Sequence, residues 1–308
     1  MSYVKNVQSL IGNTPMIELT HSDIPNQARI FAKLEFMNPG GSIKDRLGLK
    51  LIEDALNRNL LNPGGTIIEP TAGNTGIGLA LAAIGRGFRV MFVTPEKFSQ
   101  EKQTLMRALG AEVVNTPTDK GMRGAIEKAN ALCKEVPNSF SPQQFNNQAN
   151  PDTYYETLGP EIYLDMNGEI DVFLAGAGTG GTFMGISKFL KEKNKHTKTV
   201  IVEPEGSVIN GGEPGPHKTE GIGMEFMPFY MDDSYFDAVH TVTDKVAFQR
   251  VRELALNEGL LVASSSGAAF EAALREAEQA KPGTKIVTIF PDSSDRYLSQ
   301  GIYEEEKL

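Results

Sequence analysis

The chain has 308 residues, 40% hydrophobic and 22% charged, with a net charge of −9. That apolar content supports packed cores and excludes a disordered chain. The acidic balance argues against nucleic acid or an anionic membrane as partner, since both need a clustered basic surface. At about 150 residues per domain, two domains are expected.

The N-terminal MSYVKNVQSLIGNTP lacks the apolar core of a signal peptide, and no run of ~18 apolar residues occurs anywhere. A cytoplasmic protein without a membrane span is expected. The first strand is read at ARIFAKLE (28–35). NPGGSIKDR (38–46) then leads into a helix with an apolar face of Leu47, Leu51, Ala55 and Leu56. Ser42 reads as the N-cap, with Asp45 three residues on completing something close to a capping box. Lys44 would sit in the first turn, where the positive end of the helix disfavours a cation. The same field, with partial desolvation, favours the neutral amine that Schiff-base chemistry requires. A solvated surface lysine is the alternative.

GTIIEP (65–70) is the next strand, followed by Thr71-Ala72-Gly73-Asn74-Thr75-Gly76. Such a loop at a helix N-terminus offers backbone N–H groups and small hydroxyls to an anion; a tight turn capped by Thr is the plain alternative. Strands follow at FRVMFVTP (88–95) and AEVVNTP (111–117), with helices over 99–110 and 120–136. Cys133, the only cysteine, reads as a small core residue of the second helix and allows no intrachain disulfide. QQFNNQANP (143–151) reads as a crossover loop ending at Asn-Pro.

IDVFLAG (170–176) leads into Gly176-Ala177-Gly178-Thr179-Gly180-Gly181-Thr182, which has the form of a phosphate cradle. Gly176, Gly178 and Gly181 also fit G-x-G-x-x-G, and Glu203 ends the next strand, KTVIVEP (198–204), where a dinucleotide fold places its ribose-binding acid. A nicotinamide oxidoreductase is therefore an alternative. The loop is denser in Gly and Thr than that fingerprint needs, and it follows a complete α/β block with its own anion loop and a placed lysine. His21, His196, His217 and His240 show no metal-ligand spacing, so no metal is expected. Ser264, Ser265 and Ser266 read as caps for an alanine-rich helix, with a hydroxyl able to face a ring nitrogen. TKIVTIFPD (284–292) is the last strand. Apolar strands alternating with helices indicate βαβ units and parallel sheets, in blocks of about 45–147 and 168–295. The strand before Lys44 could join either.

IGNTP (11–15), NPGGSIKDR (38–46), EPTAGNTG (69–76), QFNNQANP (144–151), GAGTGGT (176–182), PHKTEGIG (216–223), SSSGAA (264–269) and FPDSSDRY (290–297) occur in order across nearly the whole chain. Together they resemble the cysteine synthase/cystathionine β-synthase family, of the tryptophan-synthase-β-like, fold type II, pyridoxal-phosphate (PLP) enzymes. The resemblance implies two three-layer αβα domains. A smaller, mobile one would span 45–147 and carry the substrate loop. A larger one, 1–44 plus 148–308, would bind the phosphate and pyridine ring.

By motif, Lys44 resembles the Schiff-base lysine and the base that takes and returns the α-proton. Asn74 resembles the residue bonded to the 3′-oxygen, and Ser265 the serine facing the ring nitrogen. Gly178, Thr179, Gly180, Gly181 and Thr182 resemble the phosphate cradle. Thr71, Ala72, Gly73, Thr75, Gln144 and Gly221 resemble the residues around the substrate. β-Replacement with ping-pong kinetics is implied, with an amino acid and a thiol as substrates and a homodimer as assembly. Ala72 stands where many cysteine synthases have Ser. With PEKFS (95–99) and VIVEPEGSVINGG (200–212), it makes the chain similar to bacterial O-acetylserine-dependent cystathionine β-synthases. Cysteine synthase using sulfide is the alternative. No haem segment or regulatory domain of the larger cystathionine β-synthases is read, so control through one is not expected.

Overall fold

The computed structural model describes residues 3–71 and 73–304. Ala72, named above, lies outside them. The described chain is mixed α/β and divides into two compact units, residues 1–11 with 38–150 and residues 12–37 with 151–308.

In the first unit, β3 (Thr66–Pro70), β4 (Arg89–Pro95), β5 (Glu112–Thr116) and β6 (Ser139–Phe140) form a parallel sheet in the order β5-β4-β3-β6. Its helices are α1 (Lys44–Asn57), α2 (Asn74–Ala83), α3 (Gln100–Ala108) and α4 (Gly121–Glu135). Ile68, Met91 and Val93 pack with Ala125 and Ala129 of α4. Ile67 and Phe92, next to them in sequence, are fully buried as well. Successive strand residues face opposite sides, so both faces of this sheet are covered, which is why its strands read as unbroken apolar runs.

In the second unit, β1 (Met16–Glu18), β2 (Arg29–Leu34), β7 (Val172–Gly176), β8 (Lys198–Pro204), β9 (Ala238–Val242) and β10 (Lys285–Phe290) make a six-stranded sheet in the order β1-β2-β10-β7-β8-β9. Only the β1–β2 pair is antiparallel. The strand whose membership sequence left open is β2, and it belongs here. The helices are α6 (Leu158–Asp165), α7 (Gly181–Lys193), α8 (Asp244–Glu253) and α9 (Ser264–Glu278). Alanines of α9 seal the core against β2, β7, β8 and β10.

Two local readings are corrected. The segment 143–151 is not loop to its end. A 3₁₀ turn occupies Gln144–Asn146, and α5 (Ala149–Glu156) begins before the proline. Pro151 stands in the first turn of α5, where a missing N–H costs no helical bond. The expected domain boundary at Lys44 also differs from the observed division, which keeps 38–44 with α1. Gly40 N donates to Asp45 Oδ2, and a Cβ on Gly40 would meet that carboxylate at 2.4 Å, so this turn and α1 are built as one piece.

Candidate active site

In the first unit, Lys44 opens α1. Ser42 is not the N-cap. Ile43 holds that position without a side-chain cap, while Ser42 Oγ accepts Lys44 N–H at 3.2 Å. Asp45 Oδ2 reaches back to accept Gly40 N–H. Two glycines then fix where Lys44 lies. A Cβ on Gly48 would meet the Gly78 carbonyl carbon at 2.2 Å, and one on Gly78 would meet the Lys44 carbonyl oxygen at 2.3 Å. Only glycine lets the α1 and α2 backbones approach so closely. Asn74 opens α2 one turn before Gly78, so the helix that carries Asn74 packs directly against the start of α1.

That first turn follows β3 through Thr71 and Gly73. Gly73 is its N-cap, and no side chain caps α2. Gly73 N–H donates to Thr71 Oγ1 at 3.3 Å. Thr75 Oγ1 donates to Gln144 Oε1 at 2.7 Å, and both residues are buried. Glu69, at 1% exposure, accepts from the backbone of Gln143 and Gln144 and from the Ser141 hydroxyl. Burial pushes its carboxyl up to about 7, against the pull of those hydrogen bonds. Sequence reading passed over Glu69, although a carboxylate ending an apolar strand was a visible signal. Cys133 packs half-buried against the β3–β4–α4 core, and burial pushes its thiol up, away from nucleophilic use.

In the second unit, the glycine loop runs from the end of β7 into α7. Gly180 is the N-cap of α7 at φ 82°, and no side chain caps the helix. A glycine loop feeding a thirteen-residue helix that no side chain caps can seat an anion, because first-turn N–H groups and the helix field point the same way. The glycines also answer to packing. A Cβ on Gly178 would meet the Gly221 carbonyl oxygen at 2.3 Å, and one on Gly176 the Ile222 side chain at 2.5 Å. Gly223 N–H donates to Ala177 O, so the 216–223 segment forms a wall of the loop. Asp244 secures that wall by accepting from Lys218 N–H, Thr219 N–H and the Thr219 hydroxyl. The Tyr230 hydroxyl donates to Thr179 O at 2.9 Å.

The serines at the start of α9 do not cap it as expected. Ala263 is the N-cap, and its carbonyl accepts from Ser266 and Gly267 N–H. Ser265 Oγ and Ser266 Oγ are buried without a hydrogen-bond partner. Such an orphan costs about 1–3 kcal/mol, which a bound polar group would recover. The turn is held from behind. Val262 bridges Ser293, Ala263 N–H donates to Asp292 O, and Ser294 N–H to Leu261 O. The Tyr297 hydroxyl donates to Asp292 Oδ2, and burial beside that carboxylate holds the phenol well above its ordinary range. Glu203 is committed elsewhere. Its carboxylate accepts from Ile209 N–H and the Thr241 hydroxyl at 1% exposure, which removes the acid a dinucleotide reading needs. Among the described residues no cluster of three His, Cys, Asp or Glu could hold a metal, and no helix is long and apolar enough to cross a membrane.

A family model described as "Pyridoxal-phosphate dependent enzyme" matches residues 7–292. The chain belongs to the pyridoxal-phosphate dependent enzymes. An O-acetylserine dependent cystathionine beta-synthase of Bacillus subtilis (strain 168) is 59% identical over 304 residues, 99% of each chain. A cysteine synthase of Helicobacter pylori (strain ATCC 700392 / 26695) is 51% identical over 305 residues, 98% of this chain and 100% of that one. The crystal structure of an O-acetylserine dependent cystathionine beta-synthase from Helicobacter pylori superposes with a TM-score of 0.95 at 51% identity, covering 99% of this chain and 100% of that one. The fold is that of the type II PLP enzymes, and the cofactor is PLP. The donor set fits this cofactor. Within the second unit, the uncapped start of α7 suits a phosphate and the unpartnered buried hydroxyl at α9 suits a ring nitrogen; within the first, Lys44 offers an amine at the start of α1.

Proposed function

We propose that this PLP enzyme replaces the β-substituent of O-acetylserine, or of serine, with the sulfur of homocysteine to give cystathionine. The supporting observation is the 59% identity, over 99% of the chain, to the Bacillus subtilis O-acetylserine dependent cystathionine beta-synthase. When bound, PLP supplies an electron sink that lets the substrate α-carbon lose its proton and the β-carbon its leaving group.

The chain's own residues do the rest. Lys44 Nζ anchors the cofactor, takes the α-proton, and returns it after the thiol has added. Gly178, Thr179, Gly180, Gly181 and Thr182 hold the phosphate with the N-terminal field of α7. Asn74 would hold the 3′-oxygen of the bound cofactor. Ser265 would offer its neutral hydroxyl to the ring nitrogen, and so weak an acid would leave the ring a modest electron sink. Thr71, Gly73, Thr75 and Gln144 hold the substrate carboxylate at the start of α2, and Ala72 and Gly221 complete the substrate-binding residues. In balance, the Cβ–O bond breaks, acetate leaves (water, from serine), and the Cβ–S bond forms as the thiol loses its proton.

Cysteine synthase activity with sulfide is the second reading, supported by the 51% identity to the Helicobacter pylori cysteine synthase. Ala72 favours homocysteine, because Ser→Ala removes a hydroxyl and makes room for a larger nucleophile. Measuring kcat/KM for homocysteine and sulfide side by side, at fixed O-acetylserine, decides between them. The proposal expects homocysteine to be preferred, and a large preference for sulfide overturns it. A cytoplasmic homodimer completes the proposal, and light scattering of the purified holoenzyme tests the assembly.

A further inference from the structure

We propose that Glu69 is a positioning residue for the substrate-carboxylate site, acting through Gln144; this rests on the assignment of Gln144 to that site. Glu69 ends β3 immediately before the 71–75 loop. Its Oε2 accepts Gln143 N–H at 3.0 Å and the Ser141 hydroxyl at 3.3 Å, and its Oε1 accepts Gln144 N–H at 3.1 Å. Gln143 lies in the left-handed region, at φ 52° and ψ 60°, which a non-glycine residue keeps only when its surroundings hold it there. The two carboxylate oxygens do so by taking two successive N–H groups. The turn they fix delivers the Gln144 amide to Thr75 Oγ1 at 2.7 Å. One carboxylate thus ties Gln144 to the strand end from which the substrate loop springs.

Three donors point at the carboxylate, so its ionised form is the one the turn fits. A proton on either oxygen would compete with donors already in place. With the carboxyl pushed up to about 7, that change falls at neutral pH. The groups facing Glu69 are Ser141, Gln143 and Gln144, which do not titrate there, and Cys133 of α4, whose thiol burial and Glu69 both push up.

The test uses the PLP holoenzyme with O-acetylserine and homocysteine. Between about pH 8 and about pH 6, KM for O-acetylserine should rise about tenfold more in the wild type than in Gln144→Ala, with kcat changing less. Gln144→Ala should raise KM at every pH and keep only the dependence set by the substrate's own amine. Glu69→Gln should show that same shallower dependence, and the double variant should be no worse than Gln144→Ala, since the two act as one unit. A Gln144→Ala profile as steep as the wild type's, or additive effects, overturns the inference. The wild-type and Gln144→Ala series decide it even if Glu69→Gln does not fold. Binding of O-acetylserine without thiol, read by visible absorbance, separates the two levels. A wild type that gives no response overturns the site assignment itself. A response whose pH profile ignores Gln144 overturns only the role of Glu69.

Discussion

A Cβ on Gly78 would stand 2.3 Å from the carbonyl oxygen of Lys44. The contact is backbone to backbone, so no rotamer change relieves it. Gly78→Ala should push the start of α1 away from α2, destabilise the protein by about 1–3 kcal/mol, and displace Lys44. Thermal unfolding and kcat of the same preparation check this. A fall in kcat larger than the stability loss accounts for would show that Lys44 has moved.

Lys44→Ala should leave the fold intact, because alanine suits the first turn of a helix. Turnover should drop at least about 10³-fold, and borohydride should no longer fix the cofactor to the chain. Activity and visible spectra read both. Normal colour with retained turnover would exclude Lys44 as anchor and base.

Ser265→Ala should have opposite effects on the two forms of the protein. Ser265 Oγ is buried and unpartnered without cofactor. Its removal should therefore stabilise the apoprotein by about 1 kcal/mol while weakening PLP binding. Denaturant unfolding of apoprotein and cofactor titration measure the two terms separately. Equal destabilisation of both forms would mean that the hydroxyl is purely structural.

Glu69 gives the stability a pH signature. Its carboxyl is raised from 4.5 to about 7 on folding. Between those values the folded chain binds more protons than the unfolded one, so this contribution is fully present below about pH 4.5 and is lost as pH rises through about 7. The stability of Glu69→Gln relative to wild type should therefore climb over that interval. Urea unfolding at several pH values measures the slope, and a flat difference would mean that Glu69 titrates normally in the folded state.

Much of this was legible in the chain. The buried parallel strands showed as apolar runs, and β2, β3, β4, β5, β7, β8 and β10 fall inside the expected segments. The short β1 and β6 went unread, as did β9. β1 and β6 are too brief to show a period. All residues of β9 but Val242 are only partly buried, so it lacks the unbroken apolar signal of the inner strands. Lys44, the glycine loops and the serine turn each had a plain structural alternative in the sequence, and it was the eight motifs in order that carried the family resemblance.

What sequence alone determined, then, is the family and the set of chemical parts: an amine at a helix start, two glycine-containing loops on strand ends, and a hydroxyl turn. Tertiary structure decided how each part is used. It made Glu203 a structural carboxylate rather than a ribose ligand, left Ser265 uncapping and unpartnered, and tied Gln144 to Glu69 across about seventy-five residues of chain. The physical reason is that a residue's type fixes what it can donate or accept, while burial and the partners within about 3 Å fix whether that capacity is already spent.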